Sequence, residues 1–117
     1  MVMGKDLNGK NKMISSGQIQ QATETLRHAA PDATIILFGS HARGDAGGDS
    51  DVDFLIIETE LKERRREMAR LARTLRPLRI RADVLVFSRR TYDEWSRIPG
   101  TVINAVAREG KVLHAGE

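Results

Sequence analysis

The 117-residue sequence contains no cysteine, which excludes disulfides and thiolate metal sites and removes any clue to redox compartment. Aromatic residues are scarce. One Trp, one Tyr and three Phe offer little surface for stacking bases, and no aromatic RNA-binding motif is visible, so direct nucleic-acid binding is a minor expectation. No apolar run approaches the roughly 20 residues of a membrane span. The stretch from Met1 to Met13, with Lys5, Lys10 and Lys12, also lacks the apolar segment of a signal peptide. The expected location is therefore the cytoplasm, with no membrane partner. The three histidines, His28, His41 and His114, lack the close spacing of a zinc site.

The length fits one domain with a genuine core and little room for a second. The net charge of +3 conceals a local bias: residues 62–81 carry nine basic side chains against Glu63 and Glu67. Such a segment is either a solvated helix face or a surface that attracts a nucleotide, a nucleic acid or an acidic protein.

Residues 1–14, rich in Lys, Gly and Asn, read as a flexible leader before a domain over 15–117. Ser15 and Gln18 have capping-box spacing, and Ile19, Ala22, Leu26 and Ala29 mark one face of a helix ending before Pro31. Thr34 to Phe38 reads as a strand apolar on both faces, hence central. Ser40 can cap a short helix reaching about Arg43, and Gly44 to Asp49 reads as a loop. Val52 to Ile57 forms a second strand. The spacing of Leu61, Met68, Leu71, Ala72 and Leu75 predicts a helix over 61–75, ended by Pro77. Ala82 to Phe87 reads as a third strand, Tyr92 to Arg97 and Thr101 to Arg108 as short helices, and Lys111 to His114 as a last strand. Gly110 suits a helix C-terminus. Tyr92 and Trp95, three apart on one helix, more often mark a core face or an interface than a catalytic site.

The chemistry concentrates between the first two strands. After Ile35-Ile36-Leu37-Phe38 comes Gly39-Ser40, where small residues let backbone N–H groups approach a phosphate as a helix begins. After ten intervening residues, Asp51 and Asp53 enter the second strand with one residue between them. Residues two apart in a strand face the same side, about 6.6 Å apart along the chain, so both carboxylates can reach ions held between them. This is the layout of a metal-dependent nucleotide site. Arg43 suits a phosphate partner, or else a salt bridge to Asp45 or Asp49 that fixes the loop. Asp45 and Asp49 read as solvated, and His41 as a water-exposed loop histidine.

Gly39-Ser40-His41-Ala42-Arg43-Gly44 followed by Ser50-Asp51-Val52-Asp53 resembles the signature of the nucleotidyltransferase superfamily that includes DNA polymerase beta. It is closest to the minimal nucleotidyltransferase (MNT) domain, whose members carry Gly-Ser-x-Ala-Arg-Gly after the first strand and Ser-Asp-x-Asp before the second. The ending Ala107 to His114 also looks like that family's final helix and short strand. The likeness spans roughly Gln18 to His114. It implies an α/β (α+β) nucleotidyltransferase fold, a small mixed sheet with helices packed on it.

The resemblance also implies roles. Asp51 and Asp53 would hold Mg²⁺, two ions by the family's pattern, with ATP as substrate and with Gly39, Ser40 and Arg43 at its phosphates. A third carboxylate usually comes from an adjacent strand, and Asp83 fits as metal ligand and as the group that orients or deprotonates the acceptor hydroxyl. An aspartate leading an apolar strand is also costly to bury without a partner or a metal. MNT domains are commonly antitoxins paired with HEPN-type ribonuclease toxins, which implies transfer of AMP to a toxin tyrosine. With no acceptor-binding domain in the chain, a folded partner would supply the hydroxyl. The alternatives are an antitoxin that binds and occludes its toxin without catalysis, and nucleotidyl transfer to a small molecule such as an aminoglycoside. A homo-oligomer is compatible with all three.

Overall fold

The computed structural model describes residues 13–116. The expected leader falls outside that range except for Met13 and Ile14, and Ile14 is buried in the main core. Helix α1 (Ser16–Ala29) opens on the expected capping box: Ser15 N–H donates to Gln18 Oε1 at 2.8 Å, and Gln18 N–H donates to Ser15 Oγ at 3.1 Å. After Pro31, which cannot continue the helix, come β1 (Thr34–Phe38), the one-turn helix α2 (Ser40–Arg43) and β2 (Val52–Glu58). The chain continues through α3 (Arg64–Leu75), a 3-10 turn (Arg76–Leu78) and β3 (Ala82–Ser88). It ends with α4 (Arg89–Trp95), α5 (Val102–Glu109) and β4 (Lys111–His114). Among the described residues no helix is long and apolar enough to cross a membrane.

The four strands form one mixed sheet in the order β3-β2-β1-β4. β2 runs antiparallel to β1 and parallel to β3, and β4 runs antiparallel to β1. The apolar strands β1 and β2 are central, as their composition requires. Side-chain alternation divides the sheet into two faces. On the first, Ile35, Leu37, Phe54, Ile56, Val84 and Val86 pack under Ala22 and Leu26 of α1 and Leu71 and Leu75 of α3. On the second, Ile36, Leu55 and Ile57 pack with Val106 of α5, joined by Phe38, Phe87 and Tyr92. Asp53 alternates with Val52 and Phe54, so it falls on the second face. Its cover stops short of the aspartates: Asp53 is only partly buried and Asp83 is exposed.

Several sequence expectations shift in detail. α3 begins at Arg64 rather than Leu61, because the backbone is still extended at Glu63. Leu61 packs on the core from outside the helix. Ala72 is exposed, since Met68, Leu71 and Leu75 already define the inner stripe and the next position turns away. Thr101 and Ser88 are caps, accepting from Asn104 N–H at 3.0 Å and Thr91 N–H at 3.1 Å. Gly110 ends α5 as expected, with extended backbone at φ −73°. Its glycine is needed for space: a Cβ there would lie 2.6 Å from Ile36 Cγ2 and 2.6 Å from Val106 O.

Candidate active site

The site starts where β1 turns into α2. Gly39 sits at φ 77°, a conformation L side chains rarely adopt, and caps α2 by its backbone, its carbonyl accepting from Ala42 and Arg43 N–H, both at 3.0 Å. Ser40 is thus the first helical residue rather than the cap, and no side chain caps this helix. The reason for glycine at 39 is visible across the sheet. Phe38 is the register partner of Asp53, and a Cβ on Gly39 would collide with Asp53 Oδ2. The turn and the second carboxylate of the motif therefore touch, and the first N–H groups of the turn have no intrahelical acceptor.

Asp53 is also the register partner of Asp83 on the parallel strand β3. Paired residues of neighbouring strands share a face, so these two carboxylates stand side by side on the second face. Asp51 lies one residue before β2, near enough for its charge to act on Asp53. Burial pushes the Asp53 carboxyl above its ordinary value, the charges of Asp83 and Asp51 push it further, and His41 and Arg43 partly oppose them. Asp83 itself is exposed, contrary to the burial argument made from sequence. β3 is an edge strand whose second face is left open at this end, so the charge is solvated.

Arg43 is paired with Asp45 Oδ2 at 3.2 Å and Glu109 Oε1 at 3.6 Å, and not with Asp49. The Glu109 contact ties the end of α5 to the site. His41 is partly buried rather than a free loop histidine, and its Nε2 lies 3.4 Å from Ser50 O, linking the turn to the segment that carries the aspartates. Sequence reasoning missed Arg81, which it counted within the basic segment. Its side chain bonds Asp51, Gly48 and Ser50. The only available signal was its position two residues before Asp83.

The donor set suits a hard divalent cation. Its available ligands are carboxylate oxygens, and a dication would relieve the repulsion that adds to burial in raising Asp53. Among the described residues, however, no three His, Cys, Asp or Glu side chains converge on one point, and Asp51 is engaged by Arg81 at 3.2 Å.

Comparison with known proteins agrees with this fold. The family model for the nucleotidyltransferase domain matches residues 19–111. No curated protein matches significantly. Among solved structures, a candidate nucleotidyltransferase from Sulfolobus solfataricus superposes with a TM-score of 0.57 at 19% identity, over 91% of this chain and 83% of that one. A toxin-antitoxin structure with AMP-PNP gives 0.60 at 22% identity, over 84% and 74%. A tyrosine-to-alanine mutant of the toxin-antitoxin MntA-HpeT gives 0.56 at 22% identity, over 85% and 73%. At these identities the likeness is one of fold.

Proposed function

This chain belongs to the nucleotidyltransferase domain family, and from that premise we propose that it is an antitoxin transferring AMP from ATP to a tyrosine hydroxyl of a HEPN-type ribonuclease toxin. The observation that carries the reading is the contact of Gly39 with Asp53 and the pairing of Asp53 with Asp83. It brings the Gly39-Ser40 backbone turn and two carboxylates to one open sheet end. The toxin-antitoxin structures that share the fold, one of them with AMP-PNP, support the choice of nucleotide and partner.

In this account the backbone of Gly39 and Ser40 receives the β- and γ-phosphates, with the Ser40 hydroxyl as a further donor. Asp51, Asp53 and Asp83 would hold Mg²⁺, which when bound neutralises charge on the phosphates and acidifies an attacking hydroxyl. Asp83, exposed on the edge strand, is where an acceptor hydroxyl from outside can be oriented and give up its proton. The open edge of the site suits an acceptor presented by another folded protein.

The test uses the partner toxin with ATP labelled on the α- or on the γ-phosphate. Nucleotidyl transfer places α-label on the toxin and leaves the γ-label in pyrophosphate. A different class of function, neutralisation by occlusion, is favoured by one observation: the three carboxylates do not converge on a single point among the described residues. If Asp51→Asn with Asp53→Asn abolishes labelling and the toxin stays neutralised, occlusion is the operative mechanism.

A further inference from the structure

Arg81 reaches back over 30 positions of chain to the approach of β2. Its Nε donates to Asp51 Oδ1 at 3.2 Å, and its Nη2 donates to Gly48 O at 2.8 Å and Ser50 O at 3.2 Å. Its own carbonyl accepts from Val52 N–H at 2.9 Å. One residue thus grips both the first hydrogen bond of β2 and the segment just before it. Gly47 N–H donates to Ser50 Oγ at 2.9 Å and His41 Nε2 meets Ser50 O, so the same segment is also held from the turn side.

Asp51 needs such a grip. It lies outside the strand ladder with 46% of its side chain exposed, and it is repelled by the neighbouring aspartates. A carboxylate left free there would spend most of its time in rotamers turned to solvent, and collecting it for a ligand costs side-chain entropy. Arg81 restricts it through Oδ1. A planar guanidinium can serve three acceptors at fixed angles, which an ammonium on a flexible stem does not reproduce.

We propose that Arg81 is a positioning residue for the cation site, acting through Asp51. The inference rests on the nucleotidyl-transfer reading and names a residue that the Gly-Ser and Asp-x-Asp motifs do not contain. Hydrogen-bond partners of metal-ligating side chains typically contribute 10–100-fold to affinity, and the same scale is expected here.

The experiment measures Mn²⁺ affinity by the paramagnetic signal of the free ion, with full-length protein and a non-hydrolysable ATP analogue. Arg81→Ala is expected to weaken Mn²⁺ binding about 10–100-fold. Arg81→Lys should recover only part, and Arg81→Ala added to Asp51→Asn should cost nothing beyond Asp51→Asn alone, the coupling a shared pathway requires. A purely structural arginine would instead lower the unfolding midpoint and leave Mn²⁺ affinity unchanged. That result, or full additivity with Asp51→Asn, overturns the proposal. Should Arg81→Ala fail to fold, Arg81→Lys is read by the same criterion. Absence of Mn²⁺ binding in the unmutated chain would overturn the underlying cation reading, a distinguishable failure because it precedes any substitution.

Discussion

Asp53 and Asp83 are direct register partners on parallel strands, and Gly39 closes against the Oδ2 of Asp53 from the opposite side. A like-charged pair held this way destabilises the free protein, and such an arrangement persists where function requires it. Asp53→Asn should therefore leave the unfolding midpoint unchanged or raise it, because the substitution removes a carboxyl that burial and two neighbours already disfavour as an anion. Nucleotidyl transfer should meanwhile fall about 100-fold or more. Thermal unfolding and a transfer assay on one preparation check both. A lowered midpoint with activity retained would assign Asp53 a structural role.

Gly39→Ala places a side chain at φ 77° and against Asp53 Oδ2. The backbone strain alone costs about 1–3 kcal/mol, and the collision displaces the carboxylate from its place. Denaturant unfolding should show the stability loss, and calorimetry with an ATP analogue should show weakened binding. Ser40→Ala, with no such strain, should weaken the analogue and leave stability within about 0.5 kcal/mol.

At the other end of β2, Glu58 lies beside Glu67 and Arg70 of α3. Burial first, and then Glu67, pushes the Glu58 carboxyl up to about 8, while Arg70 and Glu58 hold Glu67 down at about 2. Glu58 Oε2 is shielded and has no donor facing it. Protonation resolves this by making Glu58 itself a donor to Glu67. The folded state thus keeps a proton that the unfolded chain releases near 4.5. The stability Glu58 contributes is full below about pH 4.5 and is lost as pH rises through about 8, whereas the contribution of Glu67 is lost as pH falls from 4.5 towards 2. Unfolding midpoints across pH 5 to 8.5 should decline, and Glu58→Gln should flatten the decline. An unchanged slope in the variant would place the responsible group elsewhere.

The basic segment divides by role. Arg64 donates from Nε to Val86 O at 2.6 Å and lies 4.1 Å above the Phe87 ring, which covers the outer edge of β3. Arg64→Ala is expected to cost about 1–2 kcal/mol in stability. Exposed Arg65 should change stability by less than about 0.5 kcal/mol on replacement by Ala. Denaturant titrations of the two variants side by side check the contrast, and equal effects would remove the edge-covering role.

Much of this was legible in the chain because it is local. The Ser15–Gln18 box, the bounds of β1 and the Gly39-Ser40 turn each depend on a few neighbouring residues. The approach of Asp53 to the turn depends on two strands that are neighbours in sequence and in the sheet. What escaped depends on register between distant segments. Periodicity puts Asp83 on one side of β3 and says nothing about whether that side is covered, so its expected burial did not materialise. Arg81 looked like one charge among nine until the parallel pairing of β2 with β3 set it opposite the residues before Val52. Glu58 ends an apolar strand unremarkably in sequence, and only the packing of α3 gives it Glu67 and Arg70. Gly110 ends its helix as expected, and the approach of β1, invisible in the sequence, gives the residue a further reason to be glycine.

The most direct measurement is the intact mass of the partner toxin after incubation with this chain, ATP and Mg²⁺, beside an Asp53→Asn control. One or more added AMP masses with the unmutated chain alone is the predicted result. An unchanged toxin mass in a stable complex would contradict nucleotidyl transfer and leave occlusion as the function.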